Sequence, residues 1–290
     1  MSVATQLEEL VTRAVAAVGD AVVTVGRGSG VVIGTGHVLT NAHNLHADLT
    51  VGFADGRRSA AEVVGVDGDG DLAVLATDTG EVAPAALADD IAALGRTIVA
   101  LARPRRRGLT ATLGSISAVD VAFRGPGGRP VRGAVEHSAR MPRGSSGGPI
   151  VDASGRVVAI DTHRRSDGFY VAMPMGDRLR QRIDQLTQGI SPRRARLGVA
   201  VAPSPVAGRL RAAVGLQPRD GLLVREVDDD SPAAAAGIAA GDLLVSVDGT
   251  PLTTPDVLHD ELTDATSLTF TVVRGDDERE VVVDLTAPQD

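Results

Sequence analysis

Cysteine, lysine and tryptophan are absent from this 290-residue chain, tyrosine occurs once and phenylalanine four times. Without cysteine there is no thiol nucleophile, no disulfide and no thiolate metal site, and the redox compartment stays undecided. Without lysine there is no amine nucleophile or lysine base; all 29 basic residues are arginine, which we read as compositional bias. Aromatic content of 2% leaves the cores to Val, Leu, Ile and Ala. A net charge of −8 argues against generic nucleic-acid binding, because such binding draws its affinity from neutralising phosphates. No run approaches the ~18 apolar residues that span a bilayer. Glu8 and Glu9 precede Arg13, and the apolar stretch stops at Asp20, which is the reverse of a secretory leader. As written the chain reads as soluble and cytoplasmic. It reads as extracytoplasmic if it is a mature form from which a leader has been removed.

What is present is ordinary for a folded protein: 43% hydrophobic residues and a length suited to about two domains. Leu7, Leu10, Val11, Ala14 and Val18 recur at helical spacing, so residues 1–20 carry one amphipathic helix. From Ala21 the texture changes to short Val-rich runs: "AVVTV", "SGVVI", "HVLT", "LTVGF", "AAEVVGV" and "LAVLAT". Such runs at close spacing predict a small β-barrel or sandwich. After a Pro/Ala/Asp-rich connector (79–93) a second set follows, from "TIVALA" to "FYVAMP", closed by the helical "GDRLRQRIDQL". The polar, breaker-containing "QGISPRRAR" reads as a linker over 188–195. Beyond it, "GLLVREV", "DLLVSVDG", "SLTFTVVRG" and "REVVVDL" read as strands, with "PAAAAGI" and "TPDVLHDELTD" as short helices. Residues 196–287 therefore form a separate α+β module.

The stretch "MPRGSSGGPIV" (141–151) raises the possibility of a nucleophilic serine. A serine hydroxyl needs a base within hydrogen-bond reach, and histidine is the one unperturbed base near neutrality. Among six histidines, His43 follows the strand "HVLT" in "LTNAHNL", where a turn lifts side chains toward a barrel rim. His37 begins a strand and His46 lies beyond the turn, so both read as structural or surface residues; His137 and His163 read as strand and loop histidines. The base in turn needs an acid to fix its tautomer. Of Asp67, Asp69 and Asp71, only Asp71 adjoins the apolar strand "LAVLAT", where a part-buried carboxylate requires a partner. The run "DGDGDLAVLATD" spaces carboxylates as a calcium loop does. It lacks the glycine at the sixth position and flanking helices, so no metal or cofactor is expected.

Three stretches, "GSGVVIGTGHVLTNAH", "DGDLAVL" and "GSSGGPIVDASGRVVAI", resemble the motif blocks of the HtrA/Deg serine proteases. The order His, Asp, Ser is the chymotrypsin-like one. The resemblance runs from about Ala21 to Leu285. It implies a mainly β fold, a chymotrypsin-like double β-barrel over 21–187 followed by an α+β PDZ domain over 196–287. It assigns His43 as general base, Asp71 as orienting acid and Ser146 as nucleophile, with Gly144 and Ser146 offering backbone N–H groups as the oxyanion hole. Ser145 stands where the family has asparagine, a slot that contributes mainly backbone. Gly144 suits a backbone posture that tolerates no Cβ easily.

Other positions depart from the family. "ARPRRRG" (102–108) replaces a glycine- and phenylalanine-containing turn and reads as a solvated loop with affinity for anionic surfaces as a weaker reading. Arg140, Met141 and Pro142 replace small and asparagine residues, and "HRRSDG" is short. Both segments would line the primary pocket, so the family's preference for small aliphatic residues does not transfer.

In the second module "RLGVAV" resembles the carboxylate-binding loop of bacterial PDZ domains. Leu197, Gly198 and Val199 would capture the terminal carboxylate of a hydrophobic peptide, which adds as a strand beside "GVAV". "DVLHDELTD" would flank the groove. Family members often trimerise through aromatic residues near the N-terminus; residues 1–25 contain none, which leaves a homo-oligomer open and counts against a trimer. The expected function is a serine endopeptidase acting on unfolded or misfolded proteins, with protein or peptide substrates and C-terminal peptides as partners. The alternative is a catalytically weak chaperone-like or PDZ peptide-binding protein.

Overall fold

The computed structural model describes residues 2–286 apart from 48, 90–92, 126–129, 166, 193, 194 and 264. Parts of the expected connector (90–92), linker (193, 194), "HRRSDG" loop (166) and groove-flanking segment (264), and residue 287 at the expected end of the PDZ-like module, lie outside the described residues. The chain divides into two compact units, Met1–Ser191 and Pro192–Asp290.

The first unit opens with α1 (Val3–Val18), capped by Ser2, whose hydroxyl accepts from the Thr5 N–H at 3.2 Å. Its apolar stripe buries Ala14 and Val18. Six strands then form a closed barrel: β1 (Val22–Val25), β2 (Gly28–Gly34), β3 (His37–Thr40), β4 (Thr50–Gly52), β5 (Arg58–Asp67) and β6 (Leu72–Thr77). They run in the order β1-β2-β3-β6-β5-β4, and β4 closes on β1. A second closed barrel uses β7 (Thr97–Ala102), β8 (Thr110–Arg124), β9 (Pro130–His137), β10 (Pro149–Val151), β11 (Val157–Arg164) and β12 (Tyr170–Pro174). Its order, β7-β8-β9-β12-β11-β10, repeats the path of the first barrel strand for strand. Closure removes the exposed edges that short Val-rich strands would otherwise present.

The barrel cores are small and aliphatic, as the scarcity of aromatics requires. Val22, Val23, Val25, Val31, Val38, Leu39, Leu72, Val74 and Leu75 are wholly or almost wholly buried in the first. Ile98, Ala100, Ile116, Ile150, Val158 and Ala172 fill the second, joined there by Tyr170. Helix α2 (Asp177–Thr187) lays Leu179, Ile183 and Leu186 against the first-barrel core. Its Arg182 pairs with Asp67 at 3.1 Å.

The second unit is an antiparallel sheet with helices, in the order β13 (Val199–Ala202), β14 (Leu222–Val227), β15 (Leu243–Val247), β17 (Ser267–Arg274) and β18 (Asp277–Asp284), with β16 (Thr250–Pro251) pairing β15. The expected helices are α4 (Pro232–Ala235) and α5 (Pro255–Glu261). A further helix, α3 (Ser204–Ala213), lies in "SPVAGRLRAA", which sequence reasoning left without structure. Its proline sits in the first turn, where the missing N–H is no loss. Arg211 anchors it by donating to the carbonyls of Gln217 (3.2 Å) and Gly275 (3.0 Å).

Candidate active site

Strands β3 and β6 are antiparallel neighbours in register at Thr40 and Ala73. One step beyond that pair the two chains leave the barrel at the same rim. The chain after β3 turns through a short 3-10 segment, Ala42–Asn44, which carries His43. The residue before β6 is Asp71, in a left-handed conformation with φ 54°. Asn41 supports that posture by donating from Nδ2 to the Asp71 carbonyl at 2.8 Å. The antiparallel register therefore brings together two residues 28 positions apart.

The Asp71 carboxylate is buried, 1% exposed, and its oxygens are engaged. Oδ1 accepts from the His43 backbone N–H at 3.0 Å. Oδ2 accepts from His43 Nδ1 at 2.7 Å and from the Thr162 hydroxyl at 2.8 Å. An ionised carboxylate is acceptor-only, so Nδ1 carries the imidazole proton and Nε2 keeps its lone pair. The His43 side chain is 32% exposed. Nδ1 is thus held by Asp71, while Nε2 has no hydrogen-bond partner among the described residues.

Ser146 lies in the turn between β9 and β10, and the backbone of that turn is tied to both barrels. From the first barrel, the Ser29 N–H and Asn44 Nδ2 both donate to the Ser146 carbonyl at 2.9 Å. From β11, the Asp161 carbonyl accepts the Gly147 N–H at 2.7 Å, and the Asp161 N–H donates to Gly148 O at 2.9 Å. Asn44 directly follows His43, so the same short segment carries His43 and holds the Ser146 turn. Among the described residues no hydrogen bond joins Ser146 Oγ to His43. The N–H groups of Gly144 and Ser146 likewise donate to no protein acceptor among the described residues. Gly144 has φ 91°, and a Cβ there would stand 2.8 Å from the Arg27 carbonyl, so no other residue fits without shifting the turn.

Arg140 is exposed while Met141 beside it is buried. The Tyr170 hydroxyl donates to the Met141 carbonyl at 2.6 Å, and its ring stacks on His137 at 5.6 Å between centroids. His137 is fully buried, with Nε2 3.5 Å from Asp161 and Nδ1 without a partner. It ends β9, as the strand reading expects.

The basic run 102–108 divides: Arg105, Arg106 and Arg107 are exposed, whereas Arg103 faces inward. The Arg103 guanidinium donates to Val22 O at 2.6 Å and Gly19 O at 2.9 Å. The simple solvated-loop reading is therefore corrected at Arg103. Asp67 closes its turn by accepting the N–H groups of Asp69 (3.2 Å) and Gly70 (2.8 Å).

Sequence reasoning missed Ser29, Asn41, Asn44 and Thr162. Each is a buried polar residue whose partner is a backbone group or carboxylate far along the chain. The two asparagines flanking "AH" were the nearest thing to a signal, because buried asparagine beside a base needs a partner.

In the second unit Gly198 has φ 78°, and a Cβ there would lie 2.1 Å from Ser231 Cβ. The loop is laced to residues 228–233: Gly198 O accepts from the Asp228 N–H at 2.9 Å, and Leu197 O from the Ala233 N–H at 3.1 Å. Strand β13, starting at Val199, pairs among the described residues with β14 alone and forms one edge of the sheet.

Comparison with known proteins identifies the domain types. The family model for the trypsin-like peptidase domain matches residues 28–160 and that for the PDZ domain matches residues 223–274. A probable periplasmic serine endoprotease, DegP-like, of Brucella suis is 35% identical over 242 residues, covering 80% of this chain and 46% of the relative. The chain thus spans about half the length of the curated relatives it matches first. The solved structure of the serine endoprotease from Yersinia pestis superposes with a TM-score of 0.74 at 26% identity, over 95% of this chain and 97% of that one. The HtrA-type protease AlgW with a tripeptide gives a TM-score of 0.72 at 26% identity, over 96% and 98%.

Proposed function

On the premise that the chain belongs to the HtrA/Deg family of serine proteases, a trypsin-like peptidase domain followed by a PDZ domain, we propose that it is a serine endopeptidase that hydrolyses unfolded or misfolded proteins through an acyl-enzyme. The carrying observation is the bond from His43 Nδ1 to the buried Asp71 carboxylate, which leaves His43 Nε2 as the exposed base beside the nucleophile turn. In this reading His43 Nε2 takes the Ser146 hydroxyl proton as Oγ attacks the scissile carbonyl. The developing oxyanion is held by the N–H groups of Gly144 and Ser146, which have no competing acceptor among the described residues. Collapse of the tetrahedral adduct breaks the C–N bond, and the imidazolium returns its proton to the leaving amine. Water, deprotonated by the same nitrogen, then releases the acyl group. Asp71 steadies the imidazolium throughout and Thr162 steadies Asp71.

The PDZ domain recruits substrates or peptides with a hydrophobic C-terminus. The free edge of β13 offers main-chain pairing, and the loop of Leu197, Gly198 and Val199 supplies carboxylate donors. The naming of the Brucella relative supports an extracytoplasmic setting rather than the cytoplasmic one. None of the described helices is long and apolar enough to cross a membrane.

A second reading, a catalytically weak chaperone-like or peptide-binding protein, is favoured by the missing Ser146–His43 hydrogen bond. Resting sites often tighten only with substrate bound, so we rank it second. Labelling by a fluorophosphonate probe, with Ser146→Ala as control, separates the two. Labelling that vanishes in the variant supports the enzyme. An unlabelled wild type that also leaves casein intact, even with a PDZ-binding peptide added, supports the second reading.

A further inference from the structure

Ser29 lies on β2 of the first barrel, 115 positions before Gly144, and is wholly buried. All its polar groups reach the surroundings of the nucleophile. Its hydroxyl donates to Gly144 O at 2.8 Å, its N–H donates to Ser146 O at 2.9 Å, and its carbonyl accepts the Thr40 hydroxyl at 2.7 Å. The Gly144 carbonyl belongs to the peptide group joining Gly144 to Ser145; the Ser146 carbonyl belongs to the group joining Ser146 to Gly147. These two anchors bracket the peptide group that carries the Ser146 N–H. They also fix the rotation of Gly144, whose own N–H is the second unpaired donor.

The direction of the Ser29 hydroxyl is itself determined. A hydroxyl has one proton. The Arg103 backbone N–H points at Ser29 Oγ from 3.0 Å, which occupies an acceptor site and directs the proton to Gly144 O. Arg103 is in turn fixed by its guanidinium on the carbonyls of Gly19, at the end of α1, and Val22, and its carbonyl accepts the Thr24 hydroxyl at 2.7 Å. Removing the guanidinium from water has a cost, because burial lowers the Arg103 pKa from its ordinary value against the raising influence of Asp20. The bonds it makes to the carbonyls answer that cost.

We propose that Ser29 is a positioning residue for the oxyanion donors: its hydroxyl, aimed by the Arg103 N–H, holds the Gly144 peptide so that the N–H groups of Gly144 and Ser146 converge on one point. It touches no substrate. The inference rests on the serine-protease reading and adds to it a residue in the first barrel that sets the geometry of a turn in the second.

The test is kinetic, on the full chain, using a fluorogenic peptide built on a site that the wild type cuts in casein. A peptide boronate that forms a tetrahedral adduct on serine is the second probe. Ser29→Ala is expected to lower kcat about ten- to a hundred-fold with KM within about twofold, less than the 10²–10³ lost when a donor is deleted outright. Boronate affinity should fall in proportion to kcat, while a noncovalent peptide amide of the same sequence binds unchanged. A loosened fold would not produce that split. Ser29→Cys, a weaker donor of similar shape, is expected to fall between the two, and it carries the test if Ser29→Ala does not fold. Wild-type kcat and boronate affinity in a folded Ser29→Ala or Ser29→Cys protein would overturn the role of Ser29 and leave the protease reading standing. A wild type that neither labels with fluorophosphonate nor turns over peptide overturns both.

Discussion

The Thr162 hydroxyl donates to Asp71 Oδ2 at 2.8 Å, a bond that runs from β11 of the second barrel to the rim of the first. Both residues are buried, Thr162 at 1% and Asp71 at 1% exposure. The acid that orients His43 is thus itself held by the other barrel, so the two halves of the site are locked in register through it. Thr162→Val keeps shape and strand propensity and deletes only the hydroxyl. Hydrogen bonds to charged groups contribute about 1.5–3 kcal/mol, which corresponds to roughly ten-fold or more in rate if most of it is spent on orienting Asp71. The expected result is a kcat about ten-fold lower with KM unchanged, read from initial rates on a peptide substrate. A rise in KM with kcat unchanged would point instead to substrate binding.

Replacing the acid tests the tautomer argument more severely. Asp71 sits at φ 54°, a conformation that asparagine accepts as readily as aspartate, so Asp71→Asn should fold. Its amide offers an N–H where the carboxylate offered an oxygen. His43 then turns the protonated nitrogen outward, and Nε2 can no longer accept. A fall in kcat of about 10⁴-fold is expected, the scale known for the equivalent change in a serine-protease triad. Near-normal casein cleavage by the folded variant would remove Asp71 from the mechanism.

How far the sequence could carry this account depends on the range of the contacts involved. His43 and Asp71 were legible because each abuts a strand whose apolar run announces it, and the antiparallel neighbours β3 and β6 share a rim. The two β units were legible as sets of short Val-rich runs, which left barrel or sandwich open; the closed double barrel was what the family resemblance implied. The supports were not. Thr162 meets Asp71 across 91 positions and Ser29 meets Gly144 across 115, and no local pattern encodes such pairs. Arg103 hid within a basic run whose other members are exposed. Tyr170 and His137 gave no sign that a ring stack and a bond to Met141 O would join them beneath the segment preceding Ser146. Helix α3 was left unassigned: its proline and glycine weaken the helical pattern, although the proline occupies a first-turn position.

In the PDZ domain the clearest single-residue test is Gly198. Any side chain at φ 78° is strained, and a Cβ would overlap Ser231, whose hydroxyl caps α4 by accepting the Ala234 N–H at 3.2 Å. Gly198→Ala must therefore displace the loop that starts β13. Peptides ending in a hydrophobic residue with a free carboxylate should bind at least ten-fold more weakly, by fluorescence anisotropy, because the N–H groups no longer converge. Fluorophosphonate labelling of Ser146 should persist. Undiminished peptide affinity would place the carboxylate site elsewhere.

Acid stability of the second unit should rest on Asp242. Its side chain is wholly buried, and Arg274 grips both oxygens, Nε to Oδ1 at 2.7 Å and an Nη to Oδ2 at 2.8 Å. Burial alone would raise its pKa; the hydrogen bonds from Arg274 and from the Ala239 N–H, with the charges of Arg274 and Arg279, outweigh it, and the net direction is down from 3.8. A carboxyl held below its unfolded value contributes stability at every pH above about 4, and that contribution is lost as pH falls through the lowered folded value. Neutral solutions therefore carry the full effect and strongly acid ones none. Arg274→Met leaves the carboxylate buried and poorly paired. Because the Arg274 side chain is half exposed, the destabilisation at pH 7 should be smaller than that for breaking a fully buried pair. It should shrink as pH falls through the lowered wild-type value, since only below it do wild type and variant both hold a neutral acid. Hydrogen exchange of the full chain, followed peptide by peptide over β15 and β17, reads this directly. A wild-type-minus-variant difference that stays constant from pH 7 to pH 3 would mean that Arg274 acts by packing alone.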